Sequence, residues 1–355
     1  MFKKTWLFIL FLYTNAALAE VDNPFGAHVF ILDASMPPSS INATIDNIYE
    51  LQRLNQFGTN RFAVIFLPGS YGLLENIDVK LGYYTQVLGV GHSPNDVVII
   101  GAVRTQDAPA WDAAHPEQGP GSWYNYWRGA ENLSIISTLG SLTSPSIPVQ
   151  QNVWAAGKGS YLRRIHLINS ALRLYDLGYA TGSFIANSLI DLAIYSGEEK
   201  LAFIRNSKFI DWQGNNFNVL FSGIEGFNPK ETWPKPPFTV IDKTIKIREK
   251  PYLVYEPAEH RFSLNIPPLQ KDSKGFSWTT EGRTIPIEQC FIAQPGVSAA
   301  LINANMQSYH CLIFTPGIYY LDEAIHIQRA DTTIYGLGFP SLIPTAGNAA
   351  LTIDN

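Results

Sequence analysis

Asp191 and Asp211 are the side chains in this sequence best suited to acid-base chemistry. They lie 20 residues apart, and the Asn-Ser pairs that begin at Asn187 and Asn206 lie 19 residues apart. A period of about 20 residues is the low edge of the range for stacked solenoid coils. Parallel strands stack about 4.8 Å apart, so aspartates at matching positions would hold their carboxyl groups roughly 5 Å apart. That separation suits a pair of glycosidase carboxylates, and their mutual repulsion would raise one pKa.

The simpler interpretation of the two aspartates is that they cap turns at the coil corners. Asp176 and Glu225 are lesser candidates for the same catalytic role. Both interpretations remain open from the sequence.

Two aromatic segments are candidates for sugar binding. Trp212 follows Asp211 directly, and Asn215 and Asn216 come shortly after it. An aromatic face with nearby amides suits a sugar ring, which needs stacking and hydrogen bonds. An Asn-rich corner loop is the alternative. Trp123 and Trp127 lie in a Gly/Pro-rich loop that is equally suited to cover an apolar flank of the fold.

Other chemistries find little support in the sequence. The seven histidines never occur at metal-ligand spacing, so we predict no metal site and no cofactor. His166 lies near Arg163 and Arg164, which keeps a polysaccharide lyase mechanism open, although outward-facing strand residues are the plainer interpretation. The Gly336-Leu-Gly338 segment is not a dinucleotide fingerprint, because Pro340 follows instead of a helix.

A duplicated unit supplies the elements that must position these residues. The segments 61–71 and 310–319 both carry an apolar strand, a Pro-Gly pair and a tyrosine, with Pro68 and Pro316 offset by 248 residues. A Gly-x-Gly turn follows each copy, at an offset of 247 residues. We therefore predict, in both copies, a short helix, a strand, a Pro-Gly turn, a second strand, a Gly-x-Gly turn and a third strand.

The composition agrees with stacked coils. Apolar residues make up 46% of the chain and charged residues 15%, against a usual charged share of about 25%. Continuous apolar strands without long helices predict an all-β solenoid of parallel coils. We assign 1–19 to a signal peptide, 20–228 to a first β-helix, 229–285 to a proline-rich connecting segment and 286–355 to the start of a second β-helix.

The N-terminus has the three parts of an export signal. Lys3 and Lys4 precede an apolar run, and Ala17-Leu18-Ala19 offers a cleavage site. We expect a secreted or periplasmic product, soluble after cleavage. Losing the two lysines lowers the formal charge from −5 to −7, which disfavours nucleic acid as a partner. Cys290 and Cys311 lie in strand-like runs, and both a disulfide and two free thiols are open.

These motifs resemble the right-handed parallel β-helix proteins of the pectate-lyase-like superfamily. The two-copy layout is similar to the tandem β-helix glycoside hydrolases of family 55, which act on β-1,3-glucans. Runs such as Gly58-Thr-Asn-Arg61 and Arg248-Glu-Lys-Pro251 resemble secreted bacterial proteins labelled adenylyl cyclase or coagulation factor 5/8 type domain-containing. No residues here suit a nucleotide cyclase. Members of that group continue beyond the equivalent of Asn355, so we expect a complete first helix, a second helix only begun, and a C-terminally truncated chain.

The sequence thus predicts a secreted carbohydrate-active protein. We expect a glycoside hydrolase that uses paired carboxylates on a glucan-like polysaccharide. The alternatives are a noncatalytic β-helix that binds carbohydrate or a cell-surface glycan, and a polysaccharide lyase. The sequence predicts no oligomeric state.

Overall fold

The computed structural model describes most of the chain beyond its N-terminus. The described residues are 22–105, 122–139, 149–176, 180–197, 201–214, 218–232, 234–235 and 237–353. Two α-helices are present in these ranges, α1 (Pro38–Gln52) and α2 (Ala299–Met306). Three short 3-10 helices cover Pro94–Asp96, Ser122–Tyr124 and Ile287–Gln289. Within the described ranges, neither helix combines the length and the hydropathy needed to cross a membrane.

All remaining regular structure is β-strand. The first strands along the chain are β1 (Val29–Leu32), β2 (Phe62–Phe66), β3 (Gly69–Tyr71), β4 (Ile77–Lys80), β5 (Thr85–Gly89), β6 (Val97–Arg104), β7 (Arg128–Ser137), β8 (Gln151–Val153), β9 (Tyr161–Leu167) and β10 (Ala171–Arg173). The next are β11 (Ser183–Ala186), β12 (Leu189–Ile190), β13 (Ile194–Gly197), β14 (Leu201–Arg205), β15 (Lys208–Phe209), β16 (Trp212–Gly214), β17 (Asn218–Ser222), β18 (Glu225–Gly226) and β19 (Phe238–Ile241).

The strands that follow belong to the rest of the chain. They are β20 (Thr244–Arg248), β21 (Tyr252–Glu256), β22 (Arg261–Ile266), β23 (Leu269–Ser273), β24 (Arg283–Pro286), β25 (Phe291–Ala293), β26 (Cys311–Phe314), β27 (Ile318–Leu321), β28 (Ile325–Ile327), β29 (Thr333–Gly336), β30 (Ser341–Pro344) and β31 (Leu351–Ile353).

The first unit is a parallel β-helix. Its main sheet runs in the order β1-β2-β5-β7-β9-β11-β14-β17-β19, and each neighbouring pair is parallel. A second parallel sheet, β16-β13-β10-β8, is built from the same coils. Parallel neighbours that are a full turn apart in sequence define a solenoid, so the prediction of an all-β right-handed parallel β-helix is confirmed.

Stacked apolar side chains fill the interior of this helix. Val64, Val87, Ala130, Leu162 and Ile185 occupy matching positions in five successive strands, and all are buried. Because each coil repeats the same inward position, the interior becomes one continuous core along the helix axis.

The duplicated unit is confirmed by two tyrosines in equivalent places. The hydroxyl of Tyr71 lies 2.8 Å from the carbonyl oxygen of Leu67, and that of Tyr319 lies 2.9 Å from the carbonyl oxygen of Thr315. Each ring also packs edge-on against the phenylalanine that precedes its Pro-Gly turn. Burial raises the pKa of both hydroxyls, to about 12 for Tyr319. Both copies therefore use tyrosine to close the same corner.

The segment predicted as a connector contains more structure than the sequence indicated. Strand β19 lies within 229–285 and still pairs with β17 in the main sheet. The antiparallel pair β20–β23 and the antiparallel sheet β21-β22-β24 follow it. The main sheet of the first helix thus extends beyond residue 228. The many prolines obscured this order because they break strand patterns without preventing short hairpins.

The second unit packs directly on the first. Strands β25-β26-β29 form its first parallel sheet, and Cys290 and Cys311 are joined by a disulfide, which settles the alternative that the sequence left open. A shared apolar cluster joins the first helix, the antiparallel sheet and the second unit through Ile65, Leu264 and Ile313. The two units and the antiparallel segment therefore form one packed body.

Candidate functional site

The structure separates the two predicted catalytic aspartates. Leu189 pairs with Lys208, and Ile194 pairs with Trp212 in the next coil. Asp191 therefore lies opposite positions 209–210, and Asp211 lies further along its coil. The expectation that the two carboxyl groups occupy matching positions is wrong. The repeat of 19–20 residues did not reveal that the corner of the later coil is one residue shorter, which shifts Asp211 out of register.

Each aspartate has its own set of partners. Asp191 places Oδ1 3.2 Å from Nε2 of His166, and its Oδ2 accepts a hydrogen bond of 2.9 Å from the backbone N–H of Asn169. Asp211 accepts hydrogen bonds from the backbone N–H of Trp212 and from Nε2 of Gln213. Asp211 thus stabilises its own turn, as the capping interpretation expects, while Asp191 faces an ionisable side chain.

His166 is the centre of a small polar cluster on the outer face of the first helix. Its Nδ1 lies 2.7 Å from Oδ1 of Asn95, which also accepts a hydrogen bond from the hydroxyl of Ser134. The indole of Trp278 lies 5.6 Å from the imidazole, centroid to centroid. Contacts on both ring nitrogens fix the imidazole, and through it the carboxylate of Asp191. The sequence singled out His166 and Asp191 separately but gave no sign that they meet.

The Asn-Ser pairs do not stack on one another as amide ladders. Asn187 and Asn206 adopt positive φ angles of 51° and 47°, at matching positions of adjacent coils. Oδ1 of Asn187 accepts a hydrogen bond of 2.7 Å from the backbone N–H of Ser277, and Nδ2 of Asn206 donates one of 2.8 Å to Ser273 Oγ. The left-handed bend turns these amides outward, so they hold the antiparallel segment against the first helix.

A buried ionic network lies where the two units meet. Lys250 places Nζ 2.7 and 2.8 Å from the two carboxylate oxygens of Glu131. Gln86 donates a hydrogen bond of 2.8 Å to Glu131, and the hydroxyl of Tyr335 donates one of 3.2 Å. Sequence reasoning missed this network because its members are up to 204 residues apart. The signal for it was Glu131 itself, a single carboxylate inside the otherwise apolar start of β7.

Burial dominates the electrostatics of this network. It lowers the pKa of Lys250, an effect that the carboxylate of Glu131 opposes. Burial also raises the pKa of Tyr335 and of Tyr161 well above their ordinary value, and the same carboxylate adds to the rise. A second ion pair, Arg205 to Glu249 at 2.8 Å, lies nearby. The network is largely closed to solvent, which suits a structural contact between units better than contact with a polymer.

The two arginines that kept a lyase mechanism open are buried. Arg164 donates a hydrogen bond of 3.0 Å from Nε to Oδ1 of Asn132, and its guanidinium lies over the ring of Tyr252. Arg163 lies over the ring of Phe184. Burial lowers the pKa of both guanidinium groups. They point away from the core of the helix but are covered, so the expectation of solvent-facing residues is wrong, and these contacts do not favour a lyase base.

Trp212 is a core residue. It is 6% exposed and packs edge-on against Phe221 at a centroid distance of 5.4 Å. The predicted stacking of a sugar on Trp212 is therefore wrong, because a buried indole has no free face. Asn215 and Asn216 lie outside the described residues, as does the side chain of Trp123.

The lesser carboxylate candidates lie apart from His166. Asp176 forms a buried ion pair of 2.8 Å with Arg173. Glu225 is exposed in β18, the last strand of its short sheet path. Neither has a contact that suggests acid-base chemistry.

Trp127 is the predicted sugar-binding residue whose side chain reaches solvent. Its indole is 46% exposed and stacks on Tyr84 at a centroid distance of 6.3 Å and an interplanar angle of 16°. The guanidinium of Arg61 lies 3.8 Å from the centroid of Tyr84. Arg61, Tyr84 and Trp127 thus form a short stack on the surface of three successive coils.

Comparison with known proteins adds a family and a relative. A family model described as the LAM55 pectate lyase-like domain matches residues 290–355. An exo-beta-1,3-glucanase from Streptomyces sp. (strain SirexAA-E / ActE) is 34% identical over 347 residues, which cover 96% of this chain and 53% of that protein. The chain therefore spans about half the length of this curated relative.

Two solved structures share the fold. The structure of sacteLam55A from Streptomyces sp. SirexAA-E superimposes with a TM-score of 0.81 and 34% identity, over 93% of this chain and 56% of that one. A variant of the same enzyme in complex with glucose also gives a TM-score of 0.81, with 33% identity over 94% of this chain and 56% of that one.

Proposed function

Because the chain belongs to the pectate-lyase-like β-helix superfamily and is similar to its tandem β-helix glycoside hydrolases of family 55, we propose that it takes part in the hydrolysis of a β-1,3-linked glucan. The observation that carries this proposal is the extent of the likeness. It covers both β-helical units and the antiparallel segment between them, so it is not confined to a single motif.

Glycoside hydrolysis sets a clear chemical requirement. An acid must protonate the leaving oxygen, and a second carboxylate must act as nucleophile or activate water. Asp191 supports one of these roles, because His166 and the backbone N–H of Asn169 fix its orientation while its side chain is 28% exposed. Asp211 does not supply the second carboxylate, because its oxygens are engaged in its own turn.

Hydrolysis of defined polysaccharides tests the proposal. The purified chain is incubated with laminarin, a β-1,3-glucan, and with a β-1,4-glucan as a matched control, and released sugars are separated by anion-exchange chromatography. We expect products from laminarin alone, with glucose or a short oligosaccharide released from chain ends. The absence of any product from laminarin would contradict the proposed activity.

The same assay separates the two alternatives. Retention of the chain in a laminarin affinity gel without product release would identify a noncatalytic binding β-helix. Unsaturated products that absorb in the ultraviolet, formed from an acidic polysaccharide, would identify a lyase. Neither alternative is favoured by the comparisons, since the similar proteins are glycoside hydrolases.

We propose in addition that the protein is exported and meets its polysaccharide outside the cytoplasm. Residues 1–19 carry the basic, apolar and small-residue parts of an export signal, in that order. Intact-mass measurement on protein from the culture medium or the periplasm tests this. A mass that begins at Glu20 is expected, and retention of Met1 in the cytoplasmic fraction alone would contradict it.

A further inference from the structure

One corner of the first helix carries an unusual choice of residues. Arg61, Tyr84 and Trp127 each directly precede a strand of the main sheet, and the strand registers place them at matching positions of successive coils. Gly159 and Gly182 occupy that position in the next two coils. The φ angles are 51° for Tyr84, 55° for Trp127, 72° for Gly159 and 89° for Gly182, so the corner requires a left-handed backbone.

Glycine is the residue that adopts this backbone without steric cost. A bulky side chain there costs on the order of 1–3 kcal/mol and persists where something else offsets the strain. For Tyr84 the offset is on the page: its hydroxyl donates a hydrogen bond of 2.8 Å to the carbonyl oxygen of Gln56, and Arg61 covers its ring. Trp127 is about half exposed, so packing accounts for only part of its ring.

The space beside Trp127 is free of side chains at the next two corners. A Cβ on Gly159 would lie 2.7 Å from the indole, so the ring rests against bare backbone there. Gly182 follows one coil further on, and Cγ of Lys158 lies 3.1 Å from the position of its absent Cβ. Among the described residues, the ladder of corner side chains stops at Trp127 and resumes at Leu201. The result is a recess with an indole at one end and an exposed lysine on its floor.

The recess continues into a groove along the coils. Gly182, Phe184, Leu201 and Phe203 line it, and Phe184 packs on Phe203 at 5.2 Å. A polymer that lies along the stack of coils would therefore pass from Trp127 into this groove without crossing a strand.

We propose that Trp127 binds a glucopyranose unit of a β-1,3-glucan by stacking, above Gly159 and Gly182, with Lys158 as a hydrogen-bond donor to its hydroxyl groups. The apolar C–H face of the sugar covers the exposed part of the indole, and the ammonium group meets the hydroxyl rim. This assignment rests on the proposed function and names a subsite for its substrate. It also gives the strained Trp127 a role that the corner geometry alone does not.

The test uses Trp127→Gly, which removes the ring and relieves the backbone strain. Binding of laminarihexaose to the purified chain is measured by calorimetry, together with the melting temperature. We expect affinity to fall by about tenfold or more, while the melting temperature stays the same or rises. Trp127→Phe should retain part of the affinity. Phe57→Ala, at a ring that is 91% exposed elsewhere, should bind like the unaltered chain.

The outcomes distinguish this inference from the proposed function. If the chain binds and hydrolyses laminarin and Trp127→Gly does so equally well, the subsite is wrong and the activity stands. Equal losses in Trp127→Gly and Phe57→Ala would also overturn the subsite. If the unaltered chain neither binds nor hydrolyses the glucan, the proposed function fails and this inference fails with it.

Discussion

The ammonium group of Lys250 is held between the two carboxylate oxygens of Glu131, at 2.7 and 2.8 Å. Glu131 belongs to the main sheet of the first helix, while Lys250 comes from the antiparallel segment. Tyr335 of the second unit donates to the same carboxylate. One buried carboxylate thus joins all three parts of the body, and its loss should be felt by all of them.

Lys250→Met should lower the free energy of unfolding by about 3–5 kcal/mol. Removing one partner from a buried pair leaves the other charge uncompensated. Urea denaturation monitored by tryptophan fluorescence measures the change. Lys208→Met is the matched control, since Lys208 is exposed on the same sheet. Equal stability of the two variants would contradict a structural role for the pair.

Tyr319→Phe should change the stability of the protein at alkaline pH. Burial raises the pKa of Tyr319 to about 12, whereas an unfolded tyrosine ionises near pH 10. Between these values the folded state binds more protons than the unfolded state, so this tyrosine's contribution is fully present below pH 10 and is lost towards pH 12.

Urea denaturation at several pH values checks this expectation. At pH 7 the variant should be less stable by about 1 kcal/mol, because it lacks the buried hydrogen bond. Its stability should fall less steeply than that of the unaltered chain between pH 10 and 12, so the difference between them narrows. Tyr320→Phe, at a 62% exposed neighbour, is the control. Parallel pH profiles for the unaltered chain and Tyr319→Phe would refute the expectation.

Removing the disulfide should destabilise the start of the second unit. Cys290 and Cys311 are 21 residues apart, and closing a loop of that length restricts the unfolded chain by about 3 kcal/mol. The Cys290→Ser/Cys311→Ser double variant should therefore unfold at lower urea concentration, and a reducing agent should shift the unaltered chain but not the variant. Insensitivity of both proteins to reductant would show that the bond does not form in solution.

Asp191→Asn should reduce laminarin hydrolysis, and Asp211→Asn should not. A positioned acid or base contributes about 10²–10⁴-fold to the rate, and Asp191 is the aspartate that His166 orients. Asp211→Asn retains a side-chain oxygen that can cap the same turn. Initial rates and melting temperatures of both variants decide the matter. A full rate for Asp191→Asn would remove Asp191 from the mechanism and leave the hydrolase itself unaffected.

The sequence determined the fold because the forces that specify it are local and repeated. Apolar runs such as 62–66 and 311–314 favour strands covered on both faces, and the two Pro-Gly turns with Tyr71 and Tyr319 mark the same corner 248 residues apart. Such patterns survive without knowledge of any distant partner. They predicted the β-helix and its duplication.

Only the tertiary structure decided which side chains meet. A period of about 20 residues fixes that coils stack, but a one-residue difference at a corner sets which positions face each other, and this separated Asp191 from Asp211. The same register buried Trp212 in the core and left Trp127 at the surface. The contact of Glu131 with Lys250 spans 119 residues and depends on how the antiparallel segment folds back. No local pattern encodes such a contact, because its energy exists only once the units have packed.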